Sequence, residues 1–407
     1  MNLLPLANVW HYKLRSVLSA FGIGIGICML VVLSGLSRGS LSEVADRWES
    51  VNADLIACPR GYEEEDNNNI ITLSGLGIRD SFARHLLTEH KDMVERACPV
   101  FLYNLKIAKR DNMATGMEAG DWDIITGGKK LIDGRLPDAD GRFAAWYDKR
   151  FLEAGDKNAV IATPEQQQRE IADHGGFEMV VDELLARMAK LQVGDDVTAG
   201  QHTWRIVGIA PRGVITRVFI PRRTAQHVFG HSSLFSTLQF VKLRKGVDPA
   251  KAKAALTDDD GGFLFVTEYR QKLTQKFQDM LTYITAVNII ALIIAFLFIM
   301  NTLYTMVLQR TREIAILKSC GASNAFILRQ ILGESLLLTA LGVAMGLAIT
   351  WPAKWGIELA APQLTVTISW QLILAGIGAA LAGATVSAIY PAYRATRVDM
   401  VEALTLE

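Results

Sequence analysis

Residues 312–323 read REIAILKSCGAS, a short basic run of helix-forming residues caught between two long apolar segments. Upstream, Met280 to Gln309 carries no charge, and downstream of Arg329 a second apolar run reaches Ala353 with Glu334 alone interrupting it. Each is long enough to cross a bilayer, whose hydrocarbon core takes about 20 apolar residues of helix. A charged segment between two such spans has to lie in water on one side of the membrane. Ile314 and Leu317, three apart, are expected to share one helical face, with Ile316 and Cys320, four apart, on a neighbouring one. Gly321 suits a helix C-terminus, and Ser323 suits the N-cap of the helix that follows. A short amphipathic helix with charged edges has the form that fits a groove on a partner protein. The alternative is an interfacial helix held among lipid headgroups.

Two further uncharged runs, Val17 to Leu36 and Trp370 to Tyr390, complete a set of four spans. The chain has 407 residues, half of them hydrophobic, which leaves room for a membrane part and a soluble part. The expected order is an amphipathic arm (1–16), a first span (17–37), a large insert (38–279), a second span (280–308), the basic segment (309–330), a third span (331–351), a short loop (352–369), a fourth span (370–391) and a tail (392–407). The 42 basic and 42 acidic residues cancel, so no global basic field points to nucleic acid. Near the span ends, Lys13, Arg15, Arg310, Arg312, Lys318, Arg329, Arg394 and Arg397 fall on one side, against Lys354 beside Glu358 in the short opposite loop. By the positive-inside bias both termini and the basic segment are cytoplasmic, and the insert is outside. The first span reads as an uncleaved anchor, since the residues after it lack a small-x-small cleavage site.

Within the insert, short β-like runs alternate with helices: ADLIAC, a helix from Asp80 to Glu89, strands around Met93 to Lys109, then DDVTA, TWRIVGIA, RVFIP, a helix from Thr224 to Phe229, LQFVKLR and a helix from Pro249 to Leu256. This is an α+β pattern. The flanks are expected to build one lobe and the middle, about residues 121–190, a second, with Thr163 to Ala189 polar and mostly helical. Helical stalks, Leu41 to Val51 and Tyr269 to Asp279, join the insert to the first and second spans.

Small residues recur one helical turn apart in the spans, at Gly22 and Gly26, at Gly342 and Gly346, and at Ala375, Ala379 and Gly383. Such pairs let two helix backbones approach closely, inside one chain or between two. Cys58 and Cys98 lie outside under this topology, where a disulfide is chemically permitted, and each ends a strand-like run before a proline. A bridge between them and a pair of buried free thiols are both consistent with that placement.

Candidate chemistry is sparse. No GxxxxGK[ST] phosphate cradle occurs, so these residues hold no P-loop ATPase. His227 and His231, in HVFGH, and His85 with His90 lack the adjacent glutamate of a zinc hydrolase and read as packing or surface residues. Glu63 to Asp66, followed by Asn67 to Asn69, lacks the alternating ligands and turn glycine of an EF-hand and reads as a solvated loop. Glu334, at the beginning of a span, is the one embedded acid, a candidate for coupling or for pairing with Arg329 or Arg310. No catalytic constellation, metal site or cofactor is expected.

The segment REIAILKSCGAS resembles the signature of the FtsX/MacB-type permeases, the membrane subunits of type VII ABC transporters. The resemblance extends through residues 6–32 (LANVWHYKLRSVLSAFGIGIGICMLVV), LIDGRLP, LQVGDDV, WRIVGIA and residues 390–404 (YPAYRATRVDMVEAL), in family order along nearly the whole chain. It implies an α-helical membrane protein with one plus three transmembrane helices and an outer domain of porter-like and Sabre-like lobes. It implies a homodimer, a separate cytoplasmic ABC ATPase that binds ATP, membrane lipid around the spans, and a periplasmic adaptor. Arg312, Glu313, Ile314, Leu317, Lys318, Gly321 and Ala322 would then contact the ATPase. ATP-driven movement below the membrane would be relayed to the outer domain, a process called mechanotransmission, for export or extraction of a substrate. The alternative is a non-transporting mechanotransducer that regulates a cell-wall enzyme or sensor. Thr163 to Ala189 is longer than the family's usual link before its VGD phrase, which implies an elaborated middle lobe.

Overall fold

A computed structural model describes residues 13–60, 77–153, 164–230, 234–257, 261–309, 311–361 and 364–396. The N-terminal arm up to Tyr12, the acidic run Glu63 to Asp66, His231, Arg310, Arg397 and the tail lie outside the described residues. The chain divides into two compact units: a membrane unit of residues 1–40 and 278–407, and an insert unit of residues 41–277.

Among the described residues, four helices are long and apolar enough to cross a membrane: α1, Lys13–Glu49, and, in the C-terminal third, Gln278–Gln309, Asn324–Ala360 and Trp370–Thr396. The third of these begins earlier and ends later than its apolar run. Its 37 residues extend about 55 Å at 1.5 Å per residue. It passes through Pro352, so much of the expected short loop is helix, leaving Leu364 to Ser369 without regular structure before the fourth span.

Among the described residues, the insert unit is built around one ten-stranded sheet. Its strands in chain order are β1 (Leu55–Cys58), β2 (Ile78–Arg79), β3 (Val94–Ile107), β4 (Arg110–Met117), β5 (Asp133–Gly134), β6 (Glu178–Asp182), β7 (Asp196–Ala199), β8 (His202–Ala210), β9 (Val218–Pro221), β10 (Phe235–Ser236), β11 (Leu238–Leu243) and β12 (Gly262–Phe265). The order is β12-β1-β11-β3-β4-β9-β6-β8-β5, with β7 also on β8, while β2 and β10 form a separate pair. The helices between them are α2 (Asp80–Glu89), α3 (Trp122–Ile125), α4 (Arg142–Tyr147), α5 (Pro164–Asp173), α6 (Glu183–Ala189), α7 (Arg222–Phe229), α8 (Pro249–Leu256) and α9 (Glu268–Lys276). The spans of the membrane unit after the insert are then α10 (Gln278–Gln309), α12 (Asn324–Ala360) and α13 (Trp370–Thr396), with the short α11 (Thr311–Ser319) between α10 and α12.

The flanks and the middle of the insert share the sheet because β3 is long enough to serve both. Val94 to Val100 pairs with β11, and Phe101 to Ile107 pairs with β4. The middle half of the sheet therefore draws on residues 101–221, a wider stretch than 121–190. Thr163 to Ala189 also holds a strand where helix was expected: β6 lies between α5 and α6, pairing with β8 and β9. Its run EMVVD is short enough to pass for part of either helix.

Cys58 and Cys98 are both free and buried. They are not bridged, and the sheet shows why. Strand β11 lies between β1 and β3, with Phe240 paired to Ile56 on one side and to Cys98 on the other. Two strand spacings put Ile56 about 9 to 10 Å from Cys98, and Cys58 lies two residues further along β1, so the cysteines are beyond the Cα separation a disulfide spans. Both thiols instead join the apolar core that holds Trp48, Phe219 and Phe240.

Candidate functional site

The basic segment folds as the helix α11. The carbonyl of Leu317 accepts from the Ala322 N–H, and that of Lys318 from Gly321, both at 3.0 Å, with Gly321 at φ +89°. This Schellman closure needs the left-handed conformation that glycine adopts without strain. Ser323 then caps α12, its hydroxyl accepting from the Phe326 N–H at 3.2 Å. The chain thus turns sharply between two helices within four residues, 320–323.

The faces of α11 divide differently from the expected grouping. Ile314 and Ala315 are buried, and Ile314 packs with Val307, Ile327, Ile331, Ala392 and Ala395 of the three neighbouring helices. Ile314 therefore anchors α11 to its own membrane unit, and does not sit with Leu317. Lys318 donates from Nζ to the Thr396 carbonyl at 3.0 Å, satisfying an end of α13, and with Ala322 is half-buried. The exposed face carries Arg312, Glu313, Ile316, Leu317, Cys320 and Gly321. Its apolar members, Ile316 at 47% and Leu317 at 38% exposure, are adjacent and flanked by opposite charges. Three-residue spacing pairs Leu317 with Ile314, yet it is Ile316 that shares the exposed face with Leu317 while Ile314 points inward.

The small residues of the spans pack helix on helix inside the chain. A Cβ added at Gly346 would lie 2.7 Å from the Gly24 carbonyl oxygen, so α1 and α12 touch backbone to backbone. Gly342 faces Ile23 on the same seam, while Gly22 and Gly26 face Phe298 and Ala295 of α10. In α13 the buried row is Gly376, Ala380, Ala384 and Ala388. Ala379 and Gly383 are one residue out of that register and line an apolar groove of about 330 Å³ with Ile289, Ile293 and Val386. A helix stretch of almost only small residues offers no periodicity from which to pick its packed face. Side-chain hydrogen bonds add cross-links, Ser19 to Thr302 at 2.5 Å and Asn288 to Ser34 at 2.9 Å. Glu334 is buried in the same unit, with Ser335 beside it donating to the Ala384 carbonyl at 2.9 Å.

A nucleophile elbow is not expected from the sequence, and the one G-x-S-x-G spacing present, Gly35 to Gly39, lies inside α1 and not at the strand-to-helix turn that would expose a nucleophile. Its glycines serve another purpose. The Thr367 N–H donates to the Gly35 carbonyl at 3.1 Å, and a Cβ at Gly39 would collide with the Thr365 carbonyl oxygen. The segment before α13 is thereby strapped along the helix.

In the insert unit, His227 hydrogen-bonds the Tyr147 hydroxyl at 2.9 Å, and burial lowers its pKa from the ordinary 6.5. His85 and His90 meet edge to face, with centroids 6.1 Å apart. No group of three or more metal-ligating side chains occurs among the described residues. The insert's densest polar feature was not read from sequence. Arg222, buried at the start of α7, donates to Asp80 and Glu118, and Arg223 donates to Asp80 at 3.0 Å and to Asp148 at 2.9 Å. This network ties α2, the end of β4, the turn after α4 and α7 together. Its members are scattered over more than a hundred residues, so no local motif marks it.

Family models match the chain in two parts, a MacB-like periplasmic core domain over residues 16–259 and the FtsX-like permease C-terminal region over residues 285–400. The "Uncharacterized ABC transporter permease YknZ" of Bacillus subtilis (strain 168) is 23% identical across 99% of this chain and 98% of its own length. The "Macrolide export ATP-binding/permease protein MacB 2" of Aeromonas hydrophila subsp. hydrophila is 25% identical across 99% of this chain and 60% of its own length. The chain thus spans about three fifths of that relative. Among solved structures, the periplasmic region of MacB from Actinobacillus actinomycetemcomitans aligns with 55% of this chain and 94% of its own, at 14% identity and a TM-score of 0.36.

Proposed function

The chain belongs to the ABC transporter permeases that carry a MacB-like periplasmic core and an FtsX-like C-terminal region, and from that membership we propose that it is the membrane subunit on which a separate ATPase acts. As a permease of this family it is a multi-pass protein of the inner membrane. The observation that carries the finer reading is the division of α11. One face is fixed into the membrane unit by Ile314 and Ala315, and the other presents Ile316 and Leu317 between Arg312 and Glu313.

A short helix held rigidly on one side and apolar on the other is suited to receive force from a docked protein. In this reading the ATPase contact is Arg312, Glu313, Leu317 and Gly321 with Ile316 added, and with Lys318 and Ala322 at its edge. Ile314 positions the helix from behind. Both termini and α11 face the cytoplasm, in keeping with the positive-inside bias, and the insert faces the periplasm. ATP-driven approach of two ATPase subunits beneath a permease homodimer would move α11. The movement would reach the insert through α1 and through α9 and α10, so that substrate is exported or extracted outside the membrane, with a periplasmic adaptor completing the path. The lack of a P-loop in these residues is in keeping with hydrolysis on another subunit.

The test is co-purification. Leu317→Asp and Ile316→Asp are each expected to abolish capture of the partner ATPase while membrane insertion, read by fractionation, stays intact. Ile314→Val, which trims only the anchored face, should leave capture nearly unchanged. Full capture by both aspartate variants refutes the assignment.

A further inference from the structure

Basic side chains converge at one corner of the insert unit, where the end of α1, the turn after α3 and the loop from β8 to β9 come together. Lys129 donates from Nζ to the Gly213 carbonyl at 2.6 Å. Ser50 donates to the same carbonyl at 3.3 Å and to the Arg47 carbonyl at 2.7 Å. Arg212 precedes Gly213, and Arg217 closes the loop, its carbonyl accepting from the Asp182 N–H at 2.8 Å. At φ +78°, Gly213 makes the turn that brings the loop back, and a Cβ there would press to 3.1 Å from the Lys129 Nζ.

Acids are few here and already engaged. Glu43 pairs with Arg47 one helical turn before it. Asp182 uses its carboxylate as the N-cap of α6, accepting from the Leu185 N–H at 2.7 Å. Meanwhile the Nη1 of Arg217 and the Nε of Arg47 are buried without a hydrogen-bond acceptor. A buried cationic N–H with no acceptor is costly, and so is the closeness of like charges. The cations also feel one another: burial and then the Arg47 charge hold Lys129 below its ordinary pKa, and burial lowers Arg217, with Asp182 and Glu43 opposing the shift and Arg47 and Arg212 adding to it.

We propose that Arg47, Lys129, Arg212 and Arg217 form a binding site for an oxyanion of the phosphate class. Planar guanidinium groups match two oxygens of such an anion at once, and a lysine ammonium bonded to one carbonyl keeps two N–H donors for it. The same chemistry is offered by free phosphate and by the phosphodiester of an anionic lipid headgroup. None of the four residues lies in the membrane unit, so the proposal stands apart from the coupling role of α11.

The experiment uses the full-length chain in nanodiscs of zwitterionic phosphatidylcholine and measures equilibrium binding of two probes, inorganic phosphate and soluble dihexanoyl phosphatidylglycerol. At least one is expected to saturate, with affinity falling as salt rises. Arg217→Met and Lys129→Met should each weaken that binding about tenfold or more. Saturation by phosphate identifies a free oxyanion as ligand, and saturation by phosphatidylglycerol alone identifies a lipid headgroup. Should Arg217→Met fail to fold, the exposed Arg212→Ala together with Lys129→Met carries the test. With no probe bound, Lys129→Met should melt at or above the parent temperature, because it relieves like-charge repulsion; a structural lysine would give a lower one. The site is refuted if neither probe saturates, or if the folded variants bind as the parent does.

Discussion

Helix α1 meets α12 at Gly24 and Gly346 with backbone against backbone, whereas the insert unit closes around Trp48, Trp204, Phe219 and Phe240, large side chains buried whole. The difference follows from the solvent of each part. In lipid, an apolar side chain gains nothing by leaving the tails, so helices associate by close approach, dispersion and hydrogen bonds, and small residues make the seams. In water, burying aromatic area is itself the driving force. One unit should therefore be damaged by adding atoms and the other by removing them.

The strongest challenge to that contrast is Gly346→Val. Its Cβ would sit 2.7 Å from the Gly24 oxygen, so loss of folded membrane unit is expected, read as collapse of detergent-soluble yield. Parent yield would mean that the α1–α12 seam is loose and the contrast is overstated. Trp204→Ala, the reverse change in the insert, should cost about 3 to 5 kcal/mol by denaturant melting followed by circular dichroism. A loss under about 1 kcal/mol would show that the insert does not depend on its aromatic core. Arg222→Met asks whether the insert also relies on buried charge, because it leaves Asp80 with Arg223 as its cationic partner, beside the Gln226 amide and the Ser236 hydroxyl, and frees the half-exposed Glu118. A loss of about 3 kcal/mol is expected, and a neutral result would make the network dispensable to stability.

The smallest effect is a pH dependence confined to the insert. His227 and His202 are both held below the ordinary histidine value of 6.5 by burial. Their neutral forms are favoured in the fold, so the stability they give is complete above 6.5 and is lost as pH falls through that value toward the folded pKa. The melting temperature of the insert transition should thus drop between pH 7.5 and 5.5, and His227→Gln should flatten the slope. An unchanged slope in that variant would remove His227 as the source.

Much of the fold was legible because the informative residues are local. Phrases that carried the family resemblance prove to be neighbours on β8: WRIVGIA forms that strand, LIDGRLP pairs with it at Asp133 and Gly134, and LQVGDDV turns onto it, Gly194 donating to the Ile206 carbonyl. Gly134, at φ +78°, is packed so tightly on Val207 that no side chain fits, which gives that phrase a physical reason for its glycine. The hairpin from β3 to β4 was hidden for the opposite reason. Ala108 and Lys109 both take positive φ, in a two-residue turn that usually announces itself with asparagine and glycine. On α11 the turn residues were readable and the faces were not. Whether Ile314 or Ile316 points inward depends on three other helices, and no spacing within the segment encodes them.

Strand β3 has a mechanical consequence. It works as a lap splice: one half overlaps β11, the other overlaps β4, and no break in the covalent chain lies between them. Tension along the strand loads each overlap in shear, so its cross-strand hydrogen bonds share the load and need not open one by one. Such a joint is stiff along its length and yields most readily to twisting at Val100 and Phe101, where the partners change.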